Sequence, residues 1–101
     1  MTALVYAPEA LDDLDRLTDF LLEQLPQAAQ ETTALILDAL QMLTLHPQIG
    51  RPVELALREL VISRGKTGYV ALYEFDAAHD LVVVFRIRHQ REVGYPATPM
   101  G

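Results

Sequence analysis

The 101-residue chain contains no cysteine, which excludes disulfide bonds, thiol catalysis and thiolate-bound metals. It also has no apolar run approaching the ~18 residues that a membrane-spanning helix requires. The opening residues 1–6 show neither a basic region nor a long apolar stretch, so we expect no signal peptide. Together these absences predict a cytoplasmic protein without membrane contact.

Basic residues are scarce in the first half of the chain. The net charge of −6 conceals eight acidic side chains and one basic side chain, Arg16, in residues 1–50, whereas residues 51–101 carry seven basic and six acidic ones. The acidic half would repel a phosphate backbone, while the second half could meet one locally. Two differently solvated faces would produce the same asymmetry, and both interpretations stay open.

Apolar residues, by contrast, make up half of the chain, which is enough for one buried core. Leucines at helical spacing predict a first helix between Pro8 and Pro26, and a second stripe predicts another helix from Pro26 to Leu45. Because almost no loop separates these helices, they should form an antiparallel hairpin. The first stripe consists of Leu11, Leu14, Leu17, Leu21, Leu22 and Leu25.

After the second helix, β-branched and aromatic runs alternate with short polar turns. Strands are predicted at residues 57–62, 69–75 and 81–88, and the short run Leu4–Tyr6 can add at one edge. The predicted fold is therefore α+β, with an N-terminal helical hairpin packed on one face of a twisted antiparallel four-stranded sheet. We expect one domain over residues 1–95 and a frayed tail over residues 96–101. The other sheet face would stay open to a ligand or a partner.

Two familiar kinds of site lack support in the sequence. The histidines His46, His79 and His89 lie far apart, without His-x-x-x-His spacing or a carboxylate triad, so neither a metal site nor a cofactor is predicted. The glycine-flanked segment 65–68 lacks the further glycine and the long helix of a phosphate-binding loop and is interpreted as a hairpin turn. The acidic cluster within residues 12–15 begins a helix, where a solvated, dipole-stabilising face is expected.

The end of the last strand combines residue types suited to RNA cleavage. By the period of two, Arg86 and Arg88 share one face, and His89, Arg91 and Tyr95 follow. Histidine exchanges protons near neutrality, arginine can bind phosphate through two donors, and tyrosine can stack on a base. Such a set could cleave RNA with the 2′-hydroxyl as nucleophile. A merely solvated strand end is the alternative interpretation.

A second basic group lies on or near the neighbouring strand. It consists of Arg51, Arg58, Arg64 and Lys66. These side chains could pair with nearby glutamates, or they could form an electropositive groove for an acidic partner or a nucleic acid.

Several ordered segments carry a family resemblance. They are Tyr6–Leu14, His46–Val53, Leu57–Leu60, Gly68–Tyr73 and Arg88–Tyr95. Together they resemble the RelE/ParE superfamily of type II toxin–antitoxin toxins, often called plasmid stabilisation proteins. The resemblance implies a helical hairpin on a twisted antiparallel sheet, and a cognate antitoxin whose disordered tail wraps the toxin.

The resemblance also implies growth arrest by one of two routes. RelE-like toxins are metal-independent ribonucleases that cut mRNA on the ribosome, whereas ParE-like toxins poison DNA gyrase. On the first route, His89 would act as acid or base and Tyr95 would contact the phosphate or a base. Arg58, Arg86 and Arg88 would stabilise the developing charge. A degenerate member that only binds an antitoxin is a further alternative.

This chain departs from the nuclease pattern at two sheet positions. Val70 stands where typical RelE nucleases have an arginine, and Leu60 stands at a second basic position. The acidic net charge also differs from that of most ribosome-dependent nucleases. These departures weaken the nuclease interpretation, although the sequence contains no recognisable gyrase-binding motif either.

Antitoxin contacts are predicted on the basic rim of the uncovered sheet. The predicted residues are Arg51, Arg64, Lys66 and Arg91. The oligomeric state stays open between a toxin–antitoxin hetero-oligomer and a homodimer. The apolar residues off the second helical stripe could seed such a homodimer, and they are Leu37, Met42 and Leu45.

Overall fold

The computed structural model describes residues 2–64 and 67–91, without the side chains of residues 63, 64 and 67. Two helices and five strands occur within these ranges. They are β1 (Ala3–Tyr6), α1 (Pro8–Gln24), α2 (Pro26–Gln41), β2 (Arg51–Pro52), β3 (Leu57–Arg64), β4 (Thr67–Asp76) and β5 (Leu81–His89). Neither α1 nor α2 is both long and apolar enough to span a bilayer. The predicted tail at residues 96–101 lies outside the described residues.

The two helices form the predicted hairpin. Pro8 and Pro26 occupy their first turns, where the missing N–H costs no helical hydrogen bond. Leu25 alone separates the helices, and they pack against each other. The second helix is shorter than predicted, because it ends at Gln41 and tightens into a 3₁₀ turn over Met42–Thr44.

The sheet differs from the prediction in two respects. It has five strands in the order β1-β5-β4-β3-β2, and β1 runs parallel to β5, so the sheet is mixed rather than purely antiparallel. A short apolar run predicts a strand but says nothing about the direction of its partner. The fifth strand, β2, has only two residues and contains Pro52, whose missing N–H suits a sheet edge.

The core lies between the helices and one face of the sheet. Alternate residues of β4, namely Tyr69, Ala71 and Tyr73, point into it and are almost fully buried. The helices contribute Leu17, Ile36 and Leu40 to the same cluster.

The predicted stripe of α1 is only partly correct. Leu17 and Leu21 are buried, but Leu11, Leu22 and Leu25 are each at least half exposed. A carboxylate takes a place in the buried face instead, because Asp13 is buried.

Candidate functional site

An irregularity in β5 shapes the region where the candidate residues lie. Leu72 of β4 pairs with Arg86 and Tyr73 pairs with Val84, so Phe85 is an extra residue in the ladder. Such a bulge bends a strand and changes where its side chains point. It follows directly after Val84, the last residue of β5 that pairs with β1, so the second half of β5 pairs with β4 on one edge and lies beside α1 on the other.

Asp13 of α1 supplies a hydrogen-bond acceptor at this edge of β5, where no described strand pairs. Its Oδ2 accepts hydrogen bonds from the backbone N–H of Ile87 at 2.9 Å and from Nε of Arg86 at 2.8 Å. Its Oδ1 accepts a bond from Nη2 of Arg86 at 3.3 Å. Only 5% of the Asp13 side chain is exposed. Charge-assisted bonds of this kind fix both partners, so Arg86 is a structural residue of the α1–β5 contact.

The solvated acidic face predicted for residues 12–15 is therefore wrong at Asp13. The sequence contained a usable signal, because Asp13 lies three residues after Ala10 and four before Leu17, on the buried face of α1. Its neighbours Asp12 and Asp15 are exposed, as predicted.

Arg88 occupies the position expected from the period of two. It pairs with Val70 of β4, and Arg86 pairs with Leu72 two positions further along, so the two arginines lie on the same face of the sheet. Their side chains nevertheless separate. Nη1 of Arg88 donates to the carbonyl of its neighbour His89 at 3.3 Å, whereas the Arg86 guanidinium is bound to Asp13.

Arg58 on β3 also has a structural role. Its Nη1 donates to the carbonyl oxygens of Gly50 at 2.7 Å and Gln48 at 3.2 Å, which holds the loop before β2. The hydroxyl of Tyr73 accepts a hydrogen bond from the Gly50 N–H at 2.8 Å. Burial raises the pKa of Tyr73, although the Gly50 hydrogen bond and the charge of Arg58 act in the opposite direction.

His89 and Arg91, unlike those arginines, border a surface cleft of about 570 Å³ between α1 and the ends of β4 and β5. Its lining is mostly apolar, with cationic side chains among the aliphatic and aromatic ones. The described lining residues are Arg16, Leu17, Phe20, Leu21, Leu25, Tyr69, His89 and Arg91. Arg16 and Phe20 were missed by the sequence reasoning, because their place beside His89 depends on how α1 crosses the sheet.

The orientation of His89 is set by its neighbours. Its Nδ1 accepts a hydrogen bond from the backbone N–H of Arg91 at 3.0 Å, so the neutral ring carries its proton on Nε2. The ring meets Tyr69 edge to face, with centroids 5.2 Å apart. Burial raises the pKa of Tyr69, which keeps this phenol neutral. A proton donor and acceptor therefore borders the cleft, as a catalytic or a binding group would.

The remaining predicted residues are dispersed or fall outside the described part of the chain. Arg51 is 64% exposed and forms an ion pair with Glu59 at 3.0 Å, which matches the alternative that these arginines pair with glutamates. Tyr95, Lys66 and the side chain of Arg64 lie outside the described residues. Nor does any group of three histidines, aspartates or glutamates suited to a metal occur among the residues with described positions.

The sheet face away from the helices is not uniformly open. Val61 on β3 is 45% exposed, whereas its partner Val70 on β4 is only 3% exposed. Val70, which the family resemblance places at an arginine position of the nucleases, is thus a buried apolar residue. Leu60, the second such position, packs against the core.

The chain matches known toxins over nearly its whole length. The family model described as the ParE toxin of the type II toxin–antitoxin system parDE matches residues 4–94. Toxin RelE3 from Caulobacter vibrioides (strain ATCC 19089 / CIP 103742 / CB 15) is 38% identical over 92 residues. These residues cover 91% of this chain and 98% of that protein.

Solved structures of toxin–antitoxin systems share the fold. A chain of the chromosomal ParDE system from P. aeruginosa superposes with a TM-score of 0.72 and 23% identity, covering 86% of this chain and 94% of that one. A chain of the toxin–antitoxin complex RelBE2 from Mycobacterium tuberculosis gives a TM-score of 0.60 at 22% identity, covering 90% and 93%. At these identities the likeness shows the fold alone.

Proposed function

The chain belongs to the ParE toxin family of type II toxin–antitoxin systems, and we propose that it arrests growth by binding DNA gyrase rather than by cleaving mRNA. Membership of the family confirms the predicted superfamily. We also propose a cognate antitoxin as its partner, in line with the related RelBE2 structure, which is a toxin–antitoxin complex.

The hydrogen bonds of the candidate arginines support binding of a protein target rather than cleavage of RNA. Arg86 is bonded to the buried Asp13, and Arg58 is bonded to the carbonyl oxygens of Gly50 and Gln48. RNA cleavage requires cations directed at the phosphate, where negative charge develops in the transition state. An arginine whose donors already bond to the protein's own carboxylate or carbonyls is poorly placed for that task.

Two other sheet positions, Val70 and Leu60, support the same conclusion. Val70 is buried and Leu60 packs against the core, whereas the family resemblance implies basic residues at these positions in a nuclease. The net charge of −6 opposes approach to the RNA of a ribosome. A toxin that works by binding a protein target needs neither a basic groove nor a proton-transfer pair.

One observation favours mRNA cleavage as the second candidate function. His89 and Arg91 both line the cleft, and a histidine beside an arginine can supply an acid and a charge stabiliser. Tyr95 would complete that set. Cleavage would then depend on His89 and Tyr95 rather than on Arg58 and Arg86.

Growth arrest by side-chain variants separates the two functions. We expect His89→Ala and Tyr95→Phe to arrest growth of an expressing culture as strongly as the unaltered chain, with His79→Ala as an exposed-histidine control. Primer extension on mRNA from the arrested cells should show no new cuts. Loss of arrest in both variants, with new cuts made only by the unaltered chain, would overturn the proposal in favour of cleavage.

The same experiment addresses the degenerate alternative. If the unaltered chain is folded and abundant but does not slow growth, the chain is not an active toxin, and antitoxin binding is the function left to it. Co-purification with the product of a neighbouring antitoxin gene would then test that remaining role.

A further inference from the structure

We propose that the turn between β2 and β3 anchors this toxin to its protein target, with the side chain of Leu55 as the anchor. The turn spans Glu54–Leu57 and lies at the outer edge of the sheet, because β2 is the last strand in the sheet order. This inference rests on the proposed function, since it names the surface with which the toxin would engage gyrase.

Leu55 contributes no buried surface to the fold. It is 99% exposed, more than any other large apolar residue in the described part of the chain. Val53, just before the turn, is 40% exposed as well. A single exposed leucine is ordinary on a protein surface, so the exposure counts only together with the backbone of the same residue.

The backbone of Leu55 also disfavours leucine. Its φ is 54°, in the left-handed region that bulky side chains rarely adopt. The N–H of Leu57 donates to the carbonyl of Glu54 at 2.9 Å, and of the two central residues of this turn only Leu55 has a positive φ. That pattern is typical of type II′ turns, which favour glycine at the first central position. Backbone and solvent thus both oppose a leucine here, and backbone strain of this kind concentrates at functional positions.

Neighbouring contacts hold the turn in place. The N–H of Val53 donates to the carbonyl of Leu57 at 3.0 Å, which closes the hairpin. Behind the turn, Arg51 of β2 forms an ion pair with Glu59 of β3 at 3.0 Å. An apolar group on a turn held in this way loses little conformational freedom on binding, which suits an anchor.

The shape of the turn determines the kind of partner. A protruding side chain fits a partner that offers an apolar pocket, as anchor residues of interfaces do. Two copies of this chain that met through the turn would bring only a few side chains together, far short of the ~800 Å² that each partner of a standard interface buries. The occupant is therefore a protein with a concave surface rather than a second copy.

The charges of the chain favour a basic surface around that pocket. Glu54 is exposed next to Leu55, and the whole chain has a net charge of −6. An enzyme that binds DNA carries basic surfaces for the phosphates. Attraction between these charges speeds the encounter, and Leu55 then supplies the apolar contact.

Matched variants of the full chain test the anchor through inhibition of gyrase supercoiling. We expect Leu55→Gly to raise the half-inhibiting concentration at least about tenfold, whereas Leu55→Met, which keeps an apolar side chain, should change it less than about threefold. Leu22→Ala, which removes a 54% exposed leucine of α1, should change it less than about twofold. Glu54→Gln should raise it about twofold at low salt, and Glu23→Gln, at an exposed position of α1, should leave it unchanged.

Thermal unfolding of the same variants separates an anchor from a structural residue. Leu55→Gly should unfold at the same temperature as the unaltered chain or at a higher one, because glycine relieves the strain at this φ. Loss of inhibition without loss of stability is a result that a structural role of Leu55 would not produce. A clearly lowered unfolding midpoint would overturn the argument from strain.

Growth arrest of expressing cells distinguishes failure of the anchor from failure of the proposed target. If the unaltered chain arrests growth without inhibiting gyrase, the target is a different one, and relief of the arrest by Leu55→Gly still supports the anchor. The anchor is overturned if Leu55→Gly inhibits gyrase or arrests growth as strongly as the unaltered chain. A folded, abundant chain that does not slow growth also overturns it, because no target is bound. A concentration-dependent dimer that Leu55→Gly abolishes would assign the turn to a second copy instead.

Discussion

Arg86 lies on the last strand and Arg91 lies in the turn that follows it, yet α1 gives them different environments. Asp13 faces Arg86 and binds it inside the fold, whereas Arg91 is exposed and borders the cleft. The contrast teaches that an arginine on a strand of this family is not by itself evidence of chemistry on RNA. The side chain that the neighbouring helix places opposite the arginine decides its role.

The largest effect on stability should follow from removing Asp13, the carboxylate that binds Arg86 inside the fold. Asp13→Ala leaves the Arg86 guanidinium and the Ile87 N–H without their acceptor in a site largely closed to water. We expect a loss of about 3–5 kcal/mol in the free energy of unfolding, measured by urea denaturation. Asp12→Ala, an exposed neighbour on the same turn, should cost less than about 1 kcal/mol. Equal losses in the two variants would contradict a structural role for Asp13.

A second strong effect should appear at the loop that Arg58 holds. An added Cβ at Gly50 would lie 2.6 Å from the Tyr73 ring and 2.8 Å from the backbone oxygen of Glu59, so the loop would have to shift. We expect Gly50→Ala to cost about 1–3 kcal/mol of unfolding free energy. A thermal unfolding midpoint unchanged by this substitution would show that the loop yields freely and that Arg58 does not hold it.

The buried phenol beside Arg58 should make stability depend on alkaline pH. Burial raises the pKa of Tyr73 in the fold above that of the unfolded chain, so its neutral form stabilises the fold at lower pH. This contribution is lost as the pH rises past about 10 and through the raised pKa. In urea denaturation at several alkaline pH values, Tyr73→Phe should lose stability with a shallower slope than the unaltered chain. Parallel slopes would be inconsistent with this account.

The smallest effect on stability should come from the cleft. Arg91 is exposed, and the contact described for it is made by its backbone N–H rather than its side chain. Arg91→Gln should therefore change the unfolding free energy by no more than about 0.5 kcal/mol. A loss comparable to that of Asp13→Ala would place Arg91 among the residues that hold the fold together.

Much of the fold could be predicted because it depends on local periodicity. The stripe that includes Ile36 and Leu40 predicts the buried side of α2, and the β-branched runs predict β3, β4 and β5. The parallel direction of β1 and the two-residue β2 could not be predicted, because neither depends on a pattern within its own segment. The direction of β1 is set by its pairing with the distant strand β5, and β2 exists only through its pairing with β3.

The candidate site could be predicted only in part. His89 and Arg91 border the cleft because they follow one another on the chain, but Arg16 and Phe20 reach it from a helix more than sixty positions away. The role of Arg86 depends on Asp13 and on the bulge at Phe85. Charge spacing within one strand contains no information about a carboxylate on another element.

A supercoiling assay with purified gyrase and relaxed plasmid tests the central claim, that this toxin binds its target and does not use His89 as a catalyst. We predict that the unaltered chain and His89→Ala inhibit supercoiling, or trap cleaved DNA, at the same protein concentration. Normal supercoiling at saturating amounts of the folded chain would contradict the account, and so would inhibition that disappears in His89→Ala.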